Sequence, residues 1–137
     1  MDDIKILVDR GPSVLESVLA QRIRAWGYRV HIVQGPTSAL DPSVALVVCA
    51  HDTLGAWLKA VGPEAVQRVP FLALVPGDSK AAGRAALTAG AFEVLSWPCP
   101  DSSLGLTLTR ALRWHALVAE RFSGRSARTT SQTTAAG

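Results

Sequence analysis

Cysteine is scarce in this chain, with Cys49 and Cys99 the two in 137 residues. So wide a separation gives neither the paired spacing of a zinc site nor a disulfide framework. None is needed, because a chain of this length buries roughly two-thirds of its unfolded surface on folding. Long apolar runs are missing too, and the longest fall far short of the ~20 residues that cross a membrane. The opening Met1-Asp2-Asp3 lacks the basic start of a secretory leader. A cytoplasmic protein without a membrane partner is expected, made of one domain and a tail. Charge of a single sign is also missing from the body. Residues 1–120 carry eleven Lys/Arg and eleven Asp/Glu, and the excess of +3 lies in Arg121, Arg125 and Arg128. A neutral body offers no electrostatic footprint for nucleic acid. Three arginines so thinly spread read as a solvated linker.

What the chain does have is alternation of two periods. "IKILVD", residues 4–9, is an apolar run of strand length. The next segment turns helical, with Val14, Leu15, Val18, Leu19, Ile23 and Trp26 on one face. Ser13 and Glu16 have capping-box spacing, and Gly27 suits the left-handed position that ends a helix. "YRVHIV", 28–33, alternates like a half-exposed strand, whereas "VALVVC", 44–49, is apolar throughout. "TLGAWLKAV" is a helix, "FLALV", 71–75, a buried strand, and "DSKAAGRAALTAG" an alanine-rich helix capped by Asp78 and closed by Gly90. "FEVL", 92–95, is a short strand, followed by a helix over 102–122.

Strand and helix thus alternate five times, which argues for a parallel sheet covered on both faces. The first, third and fourth strands are nearly continuous in apolar residues, as central parallel strands are. Arg29 and His31 mark the second as an edge, and Glu93 the fifth. The expected architecture is a flavodoxin-like (βα)5 doubly wound α/β sheet of order 2-1-3-4-5. Only "QGPTSALDPS" joins the second strand to the third. The helix there is expected to be a single turn around Thr37–Leu40, or absent. The domain is expected to span 1–122, and 123–137, rich in Ser, Thr, Ala and Gly, to be a flexible linker.

In such sheets ligands collect beyond the carboxyl ends of the strands. Those ends carry Asp9-Arg10-Gly11, Cys49-Ala50-His51, Val75-Pro76 and Ser96-Trp97-Pro98. A flavin phosphate loop would want more hydroxyls and glycines than "DRGPSV" holds, and Gly-x-Gly-x-x-Gly is absent. "HDTLG" does not have the order of a cobalamin-type Asp-x-His-x-x-Gly. No cofactor is expected.

With "ILVDRGPSV", "GYRVHIV", "VPFLALV" and above all "AGAFEVLSWPCP", the chain resembles the receiver domains of response regulators in two-component signalling over about residues 3–120. The resemblance implies paired acids after strand one, a phosphoacceptor aspartate ending strand three, a hydroxyl ending strand four, and a lysine before a cis proline after strand five. Here the first acid matches Asp9 and the second falls on Arg10. The phosphoacceptor falls on Cys49, the hydroxyl on Val75 and the lysine on Trp97, while Pro98 matches the proline. Magnesium prefers carboxylate and water oxygens, so one aspartate beside a guanidinium is a poor offer. Trp for Lys removes the countercharge for a phosphoryl group. The expected site is therefore degenerate, with no metal and no catalytic residue.

Neighbours do not restore the chemistry. Asp52 lies three residues past Cys49, roughly 10 Å along an extended chain, and a phosphohistidine at His51 lacks the usual helical-bundle setting. Cys49 as a nucleophile would need a helper base and an electropositive, accessible setting. A buried free cysteine is the blander reading. A Cys49–Cys99 bridge is disfavoured in a reducing compartment. Function is then expected on a surface, in a non-enzymatic module working independently of phosphorylation. Its partner would be an output domain, kinase or regulator, or a second copy in a homodimer. Leu106, Arg110, Arg113, Trp114 and Leu117 share one side of the last helix, and Arg and Trp are enriched at hot spots. Lys80 and Arg84 stand on the fourth helix. Glu93 has Arg110 or Arg113 for a partner, within the domain or across a dimer. Trp114 as a cover for the core stays an open alternative. So do a redox or thiol role for Cys49 and a small-ligand-binding flavodoxin-like domain.

Overall fold

The computed structural model describes residues 4–9, 15–37, 40–77 and 79–136. In chain order it forms β1 (Lys5–Asp9), α1 (Leu15–Ala25), β2 (Arg29–Val33), β3 (Val44–Ala50), α2 (Leu54–Val61), α3 (Pro63–Arg68), β4 (Phe71–Pro76), α4 (Lys80–Ala89), β5 (Glu93–Trp97) and α5 (Asp101–Ala136). The strands form one parallel sheet of order β2-β1-β3-β4-β5. This is the flavodoxin-like arrangement that the apolar strands predict. The continuous runs lie inside, and β2, with Arg29 and His31 exposed, lies at an edge.

The pleat sends alternate residues to opposite faces. Ile6, Val8, Leu46, Val48, Leu72, Leu95 and Trp97 face Leu19 and Ile23 of α1 and Leu104, Leu108 and Ala111 of α5. On the other face Leu7, Val47, Cys49, Phe71 and Ala73 meet Leu54 and Trp57 of α2 and Ala86 of α4. Each fully buried Leu or Ile contributes about 1.5–3 kcal/mol, so these two layers supply most of the drive to fold.

Among the described residues, the β2–β3 connection holds no helix; Ser38 and Ala39 of the expected single turn lie outside them. Ten residues suffice without one. They must cross two strand spacings, about 10 Å, and return along a five-residue strand, about 17 Å, within an extended reach of roughly 33 Å. Leu40 packs into the second apolar layer on the way.

Local details follow the sequence in part. Gly27 and Gly90 take positive φ, +92° and +127°, at the ends of α1 and α4. The cap of α4 is Ser79, whose side chain accepts from the Ala82 N–H at 3.3 Å; Asp78, like Ser13, lies outside the described residues. Helix α3 has no counterpart in the sequence reading. Gly62, at φ +85°, breaks the helical run, and Pro63 restarts it at a first-turn position. Helix α5 continues to Ala136, through 123–136, where a linker is expected. No proline follows Pro100, so nothing in that segment forbids helical backbone.

Candidate functional site

Asp9 closes β1 at the carboxyl end of the sheet and is buried. Both of its carboxylate oxygens are engaged. The indole Nε1–H of Trp57 donates to Oδ2 at 2.7 Å, and the backbone N–H of Gly35 donates to Oδ1 at 2.9 Å. Trp57 is fully buried. It reaches Asp9 because α2 carries Leu54 and Trp57 on one face, three residues apart, and lays them on the sheet above β3. Phe71 packs at a tilt against the Trp57 ring, with centroids 6.2 Å apart. The Trp57 ring, backed by Phe71, thus stands against the one acid at this end of β1. Trp57 is absent from the sequence-derived candidates; its signal was a tryptophan one turn into the helix after β3.

Cys49 lies on this same face, next to Asp9 across the β1–β3 pair, which is in register at Val8 and Val48. Burial pushes its thiol up to about 12, the charge of Asp9 adds to the shift, and a hydrogen bond with Thr53 opposes it. Such a thiol is not a thiolate near neutrality, and thiolate is the reactive form. Cys99 packs against the opposite apolar layer. Burial also raises its thiol, and the sheet separates it from Cys49; both cysteines are free. Asp52 is exposed, and the His51 N–H donates to the Leu74 carbonyl at 2.8 Å.

Val75 is buried at the end of β4, on the same side as Phe71 and Ala73 by alternation. Trp97 goes elsewhere. Sharing the parity of Leu95, it sinks into the α1/α5 layer rather than joining Asp9 and Cys49. Arg22 of α1 lies over its ring at 5.3 Å, donates to the Cys99 carbonyl at 2.9 Å and pairs with Asp101 at 3.4 Å. An apolar ring at this position is drawn into the core, where a long cationic chain would reach for water. The Trp97 Nε1 is buried without a hydrogen-bond partner among the described residues. The Trp97–Pro98 bond is cis. Arg10 lies outside the described residues.

These residues do not fit a magnesium ion. Asp9 is committed to two donors, and Cys49 and Val75 bring no oxygen from their side chains. Among the described residues no group of three or more His, Cys, Asp or Glu could hold a metal, and no helix is long and apolar enough to cross a membrane.

Comparison with known folds places the architecture. Full-length FixJ from B. japonicum superposes with a TM-score of 0.70 at 17% identity, over 88% of this chain and 63% of that one. The fold is that of a response-regulator receiver domain. The signal receiver domain of an HD domain-containing protein from Pseudomonas fluorescens Pf-5 gives 0.68 at 21% identity, covering 88% of this chain and 95% of that one. NtrX from Brucella abortus, solved with ADP, gives 0.66 at 17% identity over 88% of this chain, which spans only 28% of NtrX. No family model matches the sequence, and no curated protein does. On this receiver fold Asp9 and Cys49 lie side by side with Trp57 against Asp9, Val75 is buried near the end of β4, and Trp97 is turned away.

The surface candidates sit around β5. Glu93 is paired within the domain: Arg110 meets it with two guanidinium nitrogens, Nε at 3.1 Å, and the Thr107 hydroxyl donates at 3.4 Å. Trp114 is half-buried, its ring 5.5 Å from that of Phe92, which packs against the first apolar layer. Arg113, Leu106 and Leu117 are exposed, as are Lys80 and Arg84.

Proposed function

We propose that the chain is a pseudo-receiver, a member of the response-regulator receiver family whose phosphorylation site is closed, and that it acts by binding a protein partner without phosphoryl transfer. The fold supports a place in two-component signalling, in the cytoplasm, beside an output domain, a kinase or another regulator. The observation that carries the reading is the Trp57–Asp9 hydrogen bond, which commits the one matching acid to the protein's own interior. Cys49 in the phosphoacceptor position, with its thiol pushed up to about 12, supports a non-enzymatic role and weighs against a redox one. The test is incubation with magnesium and acetyl phosphate, followed by intact mass. The reading expects no phosphoryl adduct, and a stoichiometric adduct on this domain would overturn it.

One observation favours a second reading, a small-ligand domain. A cavity of about 340 Å³ opens at the other end of the sheet, lined by Leu40, Asp41, Val44, Arg68, Val69 and His115 among others. The Ser43 backbone and hydroxyl, with Lys5, hold Asp41 low, at about 2, so the rim carries the guanidinium of Arg68 and a carboxylate paired with Lys5. Saturable shifts at His115 with a bound small molecule would favour this reading over the first.

A further inference from the structure

We infer that the cavity at the amino-terminal end of the sheet, between α3, α5 and the β2–β3 link, is a binding site for a small apolar carboxylate. The inference rests on the small-ligand reading given above, and it names the ligand's chemistry.

Helix α5 carries its core residues Leu104, Leu108 and Ala111 at i, i+4 and i+7, and all three are fully buried. The stripe continues with His115 and Ala119, and neither is a large apolar residue. These two line the cavity from one side. From the other, α3 brings Ala65 and Arg68, and the short link brings Leu40 and Asp41. Protein interiors are close-packed. Here alanines at 65 and 119 stand where larger side chains would close the contact, and a hollow of about 340 Å³ is left. That is within the ~300–1,000 Å³ of small-molecule sites. A smaller hollow of about 90 Å³ shares Val69 with it and extends the apolar surface to Phe92 and Trp114.

The lining orients a ligand end for end. Val44 and Val69 are buried at the floor, and Leu40 and Ala65 are half-buried. Asp41 and Arg68 stand exposed at the mouth. An apolar tail inside and a charged head at the mouth fit that order. The sign of the head follows from the partners already taken. Asp41 accepts from the Ser43 N–H and hydroxyl, both at 2.9 Å, and from Lys5 at 3.2 Å, so its charge is answered within the protein. Arg68 brings several N–H donors, more than one partner engages, in the planar fork that fits a carboxylate. The half-buried His115 imidazole, which burial holds below its ordinary 6.5, is neutral near neutrality and donates one N–H. A cationic head would meet Lys5 and Arg68 against the single carboxylate of Asp41. A hydroxyl head would accept the same bonds without the charge that strengthens them.

The probes are octanoate, 1-octanol and octylammonium, one chain with three heads, each titrated into the ¹⁵N-labelled full chain. Octanoate is expected to give saturable shifts at Val44, Ala65, Val69 and His115. Its affinity should exceed that of 1-octanol at least about tenfold, and octylammonium should give no saturable shift. Arg68→Gln should lower octanoate binding to the level of the alcohol, while Arg84→Gln on α4 leaves it unchanged. Ala119→Leu adds bulk to the lining and removes no polar group, so it should abolish binding in a protein that stays folded. Equal or tighter binding of 1-octanol or octylammonium at these amides would overturn the carboxylate and leave the small-ligand reading standing. No saturable shift there with any of the three would overturn both. Octanoate shifts that survive both Arg68→Gln and Ala119→Leu would overturn the site itself.

Discussion

Trp57 and Asp9, 48 residues apart in the chain, share a buried hydrogen bond of 2.7 Å from the indole nitrogen to the carboxylate. In a receiver fold the residue ending β1 faces the space where a divalent ion and a phosphoryl group would meet a carboxylate on β3. Here that space holds an indole ring, and the facing residue on β3 is a thiol. Opening the site would expose Trp57 and remove a donor from Asp9, which is the ground on which the site is proposed to be closed.

Removing the donor alone should be costly. Trp57→Phe keeps most of the ring and leaves one oxygen of Asp9 unsatisfied, for an expected loss of about 1–3 kcal/mol in urea unfolding. Trp57→Ala adds a cavity and should cost about 3–5 kcal/mol. In a cycle of Trp57→Phe with Asp9→Asn, a coupling of about 1 kcal/mol or more is expected. Additive losses would mean that the bond contributes nothing.

Cys49 should be inert in the folded protein. Its thiol is pushed up to about 12 by burial first and then by Asp9. Labelling with iodoacetamide near pH 8 should modify Cys99 before Cys49, and Cys49 only on unfolding. Fast, selective native labelling of Cys49 would revive a redox role.

Placing an aspartate at the phosphoacceptor position should not repair the site. Cys49→Asp buries a second carboxylate beside Asp9, under the Trp57 ring. The expected loss is about 3 kcal/mol or more, eased at low pH where the new group is protonated. A variant as stable as the parent that takes up magnesium would show the pocket to be open.

His115 gives a pH signature. Burial lowers its pKa from the ordinary 6.5, so the unfolded state takes up the proton first. Its contribution is present above about pH 6.5 and is lost as pH falls through the lower folded value. Asp41 and Arg68 line the same cavity. Stability should therefore decline below pH 6.5 in the parent and decline less in His115→Gln, as read by unfolding midpoints across pH.

Much of the architecture was legible because it is written in local pattern. Unbroken apolar runs at 44–49 and 71–75 mark central strands, and Arg29 and His31 mark an edge. The short β2–β3 link, by its length, argued against a full helix, and none stands among its described residues. The site was legible only as a set of replacements. That Cys49 lies beside Asp9 followed from strand ends, but Trp57 is brought there by the docking of α2, which no spacing in the sequence records. Trp97 matched a motif position, yet the pleat and its own apolarity send it to the other face. Helix α5 outran its expected end because 123–136 lacks apolar periodicity, the signal by which helices are recognised, while containing no proline.

The most direct test of the closed site is a titration of the ¹⁵N-labelled protein with magnesium, then with beryllofluoride, followed at the Trp57 indole and at the amides of Asp9, Gly35 and Cys49. The account predicts no saturable shift at any of them from a folded protein. Saturable shifts, with the Trp57 indole resonance leaving its hydrogen-bonded position, would contradict it.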